Sequence, residues 1–222
     1  MTPALPELER IDLPPAGPRG ADSLMVLLAG AYDDPRCFVD LDLPAHCRGA
    51  GFDAALCLLR TDLAAVAEGR MVGALHQQVI APARAAGIRR LVLGGISIGA
   101  MTALQHQDAY PDSADELLLL APYPGNREIT GTIQASGGVR AWQPATLPDD
   151  AGELRSWRAL QRIAARQSPV WLGFGSDDRF AEAHRMMASA LPPTRVCTLP
   201  GGHEWAVWCR LWQCWLAARE AR

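Results

Sequence analysis

The chain reads as a doubly wound α/β domain built on a mostly parallel sheet, and three observations carry that reading. Short apolar runs alternate with helical patterns along most of its length. Two of the runs, Glu116–Ala121 and Val170–Gly175, are too short and too uniformly apolar for surface helices, and suit strands buried on both faces. A third, Arg90-Leu91-Val92-Leu93-Gly94, feeds Gly95-Ile96-Ser97-Ile98-Gly99 and then the helix formers Ala100–Leu104, a strand that turns directly into a helix.

In chain order, residues 1–20 are proline-rich and polar, with one short edge strand expected around Leu8–Leu13. Leu24–Ala29 is a buried strand running into the turn Gly30-Ala31-Tyr32-Asp33-Asp34-Pro35. A helix is expected over part of Phe38–Ala50, broken by Pro44 and ended by Gly49 or Gly51. Ala54–Leu59 is the next strand, and Gly69–Ala86 an amphipathic helix stopped by Gly87. Leu91–Ile96 leads into the serine turn. Glu116–Ala121, Val170–Gly175 and Thr194–Leu199 complete the sheet, with Thr194–Leu199 repeating the doubly buried pattern. Helices follow each of the last two strands.

Pro124–Pro148 interrupts the alternation with turn residues before a helical stretch at Glu153–Arg166. The length, 222 residues, suits one domain over 1–222 in which 124–168 forms a small cap or lid. Trp142 and Trp157 are its candidates for lining a pocket. Packing of these indoles between cap and body is the competing reading.

Composition narrows the chemistry. Apolar residues make up 49% and charged residues 20%, ordinary for a globular protein, and the net charge of −3 gives no basic excess for nucleic acid. All 21 basic side chains are arginine, with no lysine anywhere, which excludes Schiff-base chemistry, a Ser-Lys dyad and a lysine-bearing phosphate loop. The amino-terminal stretch has neither the basic nor the apolar region of a secretory signal, and no apolar run approaches a membrane span. A cytoplasmic address is expected. Six cysteines form no CxxC pair and are expected as free thiols, Cys57 and Cys197 buried in strands. Cys37, His46 and Cys47 lie close in sequence without metal-ligand spacing, and no metal is expected.

A serine on so tight a turn projects its hydroxyl above the sheet, beside the amide-bearing start of a helix. Without lysine, histidine is the available base. Gly173-Phe174-Gly175-Ser176-Asp177-Asp178-Arg179-Phe180 and Leu199-Pro200-Gly201-Gly202-His203-Glu204-Trp205 both lie at strand ends, where open α/β sheets place ligand-binding residues. His203 can take the Ser97 proton and return it to a leaving group. Asp177 and Asp178 compete to orient the imidazole. A tetrahedral intermediate needs two N–H donors. Ile98 supplies one, and the loop after Leu24–Ala29 the other, from Ala31 in preference to Tyr32.

From about Leu24 to Leu216 the chain resembles the α/β-hydrolase superfamily, and within it small bacterial serine hydrolases of the carboxylesterase, lysophospholipase and acyl-thioesterase type. The residues that carry the likeness are the G-x-S-x-G turn, Asp178-Arg179-Phe180, and Pro200–Trp205 with Trp208. The order serine, acid, histidine is the family's as well. The resemblance implies an α/β-hydrolase fold with a small cap and a triad of Ser97, Asp178 and His203. Its pattern of glycine, two residues, then the acid favours Asp178, leaving Asp177 as a turn or cap residue.

The implied activity is cleavage of carboxylic esters of small or medium acyl groups through an acyl-serine, without cofactor or metal. The implied partner is a small ester or thioester. An acyl-thioesterase and a non-catalytic ligand-binding protein are the alternatives. The chain departs from the pattern in having Ala29-Gly30 where many relatives carry His-Gly, and Ala100 where others have a second glycine.

Other residues carry less. His76, His106 and His184 fall on helices without partners at ligand spacing, so solvated or core roles are expected. Trp205, Trp208, Trp212 and Trp215 form a stripe at helical spacing, read as core against the sheet; partly exposed, it would make a homodimer face. Asp33, Asp34 and Asp40 read as a solvated turn.

Overall fold

The computed structural model describes residues 4–144, 147 and 151–220. Met1-Thr2-Pro3 of the amino-terminal stretch and Pro148 of the turn-rich stretch lie outside the described residues. Seven strands form one sheet: β1 (Arg10–Leu13), β2 (Ser23–Leu28), β3 (Ala55–Leu59), β4 (Arg90–Ile96), β5 (Glu116–Leu120), β6 (Val170–Gly175) and β7 (Val196–Leu199). Their order is β1-β3-β2-β4-β5-β6-β7, and only the β1–β3 pair is antiparallel.

Register brings the strand ends level. Leu28 pairs with Leu59 and Gly95, Ile96 with Leu120, Leu120 with Gly173, and Gly175 with Leu199. The loops leaving β2, β4, β6 and β7 therefore emerge along one edge. The uniformly apolar runs of β4, β5 and β6 are buried as expected, because helices cover both faces of a parallel sheet. β7 departs from the expected pattern. It is the outer strand with a neighbour on one side only, so Cys197 is half-buried and Thr198 exposed.

The helices are α1 (Arg36–Asp40), α2 (Leu43–Gly49), α3 (Leu63–Ala67), α4 (Met71–Leu75), α5 (Ala81–Ala85), α6 (Ile98–Ala109), α7 (Arg127–Ala135), α8 (Gly152–Arg166), α9 (Ala181–Ala188) and α10 (Trp205–Glu220). Phe38, Leu43, Cys47, Leu211, Trp212 and Trp215 fill the core on one face; Met71, Leu75, Leu104, Trp157 and Leu160 belong to the core on the other.

Four local details differ from the sequence reading. The helix expected over Phe38–Ala50 is two, parted at Asp42, whose φ of 57° is left-handed. Pro44 lies in the first turn of α2, so it helps start that helix rather than break one. The Gly69–Ala86 helix carries a π turn at His76–Ile80 between α4 and α5. Within the turn-rich stretch, α7 forms behind the cap of Asn126, whose side chain accepts from Ile129 N at 3.0 Å.

Three of the four α10 tryptophans are consumed inside the molecule, and Trp205 is half-buried against the same core. Trp208, Trp212 and Trp215 are buried, and Trp215 Nε1 donates to Glu116 Oε1 at 3.1 Å while Arg219 pairs with the same carboxylate. The expectation for Trp142 and Trp157 resolves in favour of packing. Trp157 is 0% exposed with Nε1 donating to Pro124 O at 2.8 Å, and Trp142 belongs to the same core. Asp108, buried on α6, accepts from Arg158 (2.8 and 2.6 Å) and Arg162 (3.0 Å) of α8. A bidentate arginine on a buried carboxylate fixes α8 to the serine-bearing helix.

All six cysteines are free. Burial pushes the Cys47 and Cys57 thiols up to about 12. Among the described residues no helix is long and apolar enough to cross a membrane.

Candidate active site

The turn at Ser97 explains its own glycines. Ser97 has φ 53° and ψ −116°, a left-handed-side conformation that costs a non-glycine residue roughly 1–3 kcal/mol. A Cβ on Gly95 would lie 2.5 Å from Leu28 O, and one on Gly99 2.3 Å from the same oxygen. Neither position can hold a side chain while β2 and α6 remain this close to the turn. The strained backbone is held by Ser97 N donating to Leu120 O (2.9 Å), and by Tyr123 N (2.9 Å) and Met101 N (3.1 Å) donating to Ser97 O. The serine is thus locked from β5, from the loop that follows it, and from its own helix.

The loops after β6 and β7 are latched together. Ser176 N donates to Leu199 O (2.8 Å) and Asp177 N to Gly201 O (3.0 Å), while Gly201 N donates to Asp177 Oδ2 (3.1 Å). Asp177 is therefore bonded to the histidine loop's backbone, away from the imidazole. Its neighbour Asp178 turns inward. Asp178 Oδ2 lies 2.6 Å from His203 Nδ1, and Oδ1 accepts from Phe180 N at 2.8 Å. On the far side of the ring, His203 Nε2 stands 2.9 Å from Ser97 Oγ.

Three side chains from three strand ends thus come into one hydrogen-bonded line. The Asp178 side chain is fully buried, and that of His203 is only 11% exposed. Edge-on contacts from Phe180 (5.4 Å) and Trp208 (5.0 Å) hold the imidazole plane. Burial alone would raise the Asp178 carboxyl. The bonds from His203 and the Phe180 amide outweigh it and hold the group below its ordinary value. It stays ionised, as a group that steadies an imidazolium must.

The sequence reading placed two amides as oxyanion donors. Ile98 N opens α6 directly after the serine, and Ala31 follows the end of β2 on an exposed turn. Among the described residues neither amide donates to another protein group, and the Tyr32 amide is likewise free. The turn is built by Asp33 N donating to Gly30 O (3.3 Å) and Thr61 Oγ1 donating to Ala29 O (2.6 Å). Asp33 is more than a solvated turn residue, since its Oδ1 accepts from Trp205 Nε1 at 3.3 Å.

One neighbour was expected only as a solvated or core histidine. His184 on α9 is fully buried, packs on Phe174, and has Nε2 2.9 Å from Pro122 O, next to the residue whose amide holds Ser97. Burial pushes its pKa down to about 4, so it is neutral at pH 7. His76 and His106 lie elsewhere, 3.4 Å apart, with His76 stacked on Tyr110. Among the described residues no group of three or more His, Cys, Asp or Glu side chains gathers as a metal site.

No protein-family model matches the sequence, and no curated protein does. Solved structures match its fold along nearly the whole chain. Est1E from Butyrivibrio proteoclasticus has a TM-score of 0.68 at 14% identity, covering 96% of this chain and 94% of its own. S-formylglutathione hydrolase (FrmB) from Staphylococcus aureus has a TM-score of 0.59 at 12% identity, covering 99% of each chain. A monoacylglycerol lipase from Paleococcus ferrophilus has a TM-score of 0.59 at 15% identity, covering 96% and 99%. At such identities the likeness is one of fold, and residue roles must come from the geometry.

Proposed function

We propose that this chain, which has the α/β-hydrolase fold, is a serine hydrolase that cleaves carboxylic esters of small or medium acyl groups. The observation that carries the reading is the unbroken line Ser97 Oγ, His203, Asp178, with contacts of 2.9 and 2.6 Å. The hydrolase names of its structural neighbours agree with it.

Ser97 Oγ attacks the ester carbonyl as its proton passes to His203 Nε2. Negative charge gathers on the carbonyl oxygen, where the Ile98 and Ala31 amides donate. Asp178 stabilises the imidazolium, which then protonates the departing alcohol. Water, deprotonated by the same imidazole, releases the acid from Ser97. α7 and the residues up to Trp142 form the small cap beside this centre, while α8 of the 124–168 segment anchors it to the body.

A fluorophosphonate probe tests the reading. Wild-type protein should label and should hydrolyse p-nitrophenyl butyrate. Ser97→Ala should abolish labelling and lower turnover by at least ~10⁴-fold. A wild type that neither labels nor cleaves any ester would favour the non-catalytic binding alternative.

A further inference from the structure

Beside the candidate centre, α7 and α9 flank an open groove of about 1040 Å³ whose lining includes Tyr123, Asn126, Arg127, Gln134, Arg179 and Phe180. Its volume matches that of small-molecule sites. Ser97 and His203 do not line it, but two of its residues touch them. Tyr123 N donates to Ser97 O at 2.9 Å, and the Phe180 ring stands 5.4 Å from the His203 ring. Those two groove residues meet edge-to-face at 5.5 Å. A substrate whose carbonyl sits over Ser97 therefore has this groove as its adjacent space.

Charge in the groove is unevenly committed. Arg179 lies over Phe180 with its guanidinium carbon 4.8 Å from the ring centroid, which orients the group and leaves its N–H edge open. Among the described residues neither Arg179 nor Arg127 forms an ion pair. The nearby carboxylate of Glu153 accepts from Asn126 N at 3.1 Å. Among the described residues Glu182 is the one acidic residue in the lining, against two arginines. Two uncommitted guanidinium groups in a chain of net charge −3 make a local exception to its overall sign.

We infer that the groove reads an anionic group on the substrate, so that this site prefers esters or thioesters bearing a carboxylate or phosphate away from the scissile carbonyl. The inference deepens the proposed hydrolase function and rests on it for turnover, though not for binding. Guanidinium groups recognise carboxylate and phosphate through paired N–H···O bonds, and the side-chain amides of Asn126 and Gln134 in the lining add neutral donors. A charge-assisted contact of this kind is worth about tenfold in affinity.

Binding is measured first, by calorimetry on Ser97→Ala protein, with the p-nitrophenyl half-ester of glutaric acid and its methyl-capped neutral counterpart. Acetyl-CoA and the neutral thioester S-acetyl-N-acetylcysteamine form a second pair. The expected result is at least ~tenfold tighter binding of the anionic member of one pair. Adding Arg179→Gln or Arg127→Gln should erase that preference while leaving the neutral member within about twofold. Preference in the first pair places the anion on the acyl side; preference in the second places it on the leaving group.

Equal affinities within both pairs, or a preference unchanged by both arginine substitutions, overturns the inference. Turnover by the protein with Ser97 intact then separates the two readings. Selective binding without hydrolysis leaves the groove assignment standing and sinks the hydrolase. Hydrolysis without selectivity does the reverse.

Discussion

Two adjacent aspartates at the end of β6 have opposite fates, and the difference lies in one backbone turn. Asp178 points into the protein, 2.6 Å from His203 Nδ1, whereas Asp177 bonds the Gly201 amide at 3.1 Å. Asp178→Asn should lower kcat by roughly 10³–10⁴-fold, since an amide can present the imidazole with the wrong tautomer. Asp177→Asn should cost less than about tenfold, because an amide oxygen still accepts from Gly201 N. Steady-state kinetics on an activated ester distinguishes them, and comparable losses would reverse the assignment.

The residue types were legible in the sequence, because a serine between glycines and a histidine after a strand have few other reasons to recur in this order. The choice between Asp177 and Asp178 was not legible from the residues alone, since both are acids on the same turn; only the family pattern favoured one. His184 was legible as a helix histidine with a solvated or core role, and not as a neighbour of the site. Its closeness to the Pro122–Tyr123 backbone arises from packing between elements far apart in the chain.

At the scale of elements, the passage from β4 to α6 is the tightest constraint. Gly99→Ala would place a methyl group 2.3 Å from Leu28 O and 2.6 Å from Ala29 O, both backbone atoms with nowhere to move. The expected cost is about 2 kcal/mol or more, with loss of activity as the turn shifts. Gly49→Ala, at the end of α2, meets nothing within 4 Å and should be neutral or stabilising by a few tenths of a kcal/mol. Thermal melts of the two variants side by side check the contrast. A Gly99→Ala protein as stable as wild type would mean the helix can back away from β2.

Strands were the legible elements, because a buried parallel strand must be apolar throughout, and Glu116–Leu120 has few alternatives. Helix boundaries were harder. α7 hides among Thr130, Gly131 and Thr132, poor helix formers, and persists because Asn126 caps it and Ile133 is buried in the core. The break before α2 hinges on the left-handed Asp42, a conformation no periodicity reveals.

At the scale of the whole molecule, two buried histidines link stability to pH. Burial lowers His106 to about 3 and His184 to about 4, whereas an unfolded histidine titrates near the ordinary value of 6.5. Between those limits the unfolded chain binds protons that the folded one does not. Stability is therefore full above pH 6.5 and falls as the pH drops towards 4, on the order of 1 kcal/mol per pH unit for each histidine. Asp178, held below its ordinary 3.8, adds a further loss only at more acidic values. Urea unfolding at pH 7, 6 and 5 should show this slope, and His106→Gln should reduce it. A flat profile down to pH 5 would mean that these rings are protonated in the folded state.

The sheet's overall plan followed from alternation alone. Its strand order did not, because a sequence names its strands without saying which lie side by side.

Cys47 and Cys57 carry a practical corollary. Sealed in the core and far from ionising at neutral pH, they resist alkylating reagents for as long as the core is shut. Iodoacetamide uptake at these two positions, followed by mass spectrometry, becomes a clock for opening. It counts the rare moments when either side of the sheet is uncovered, with no dye, no denaturant and no engineered label.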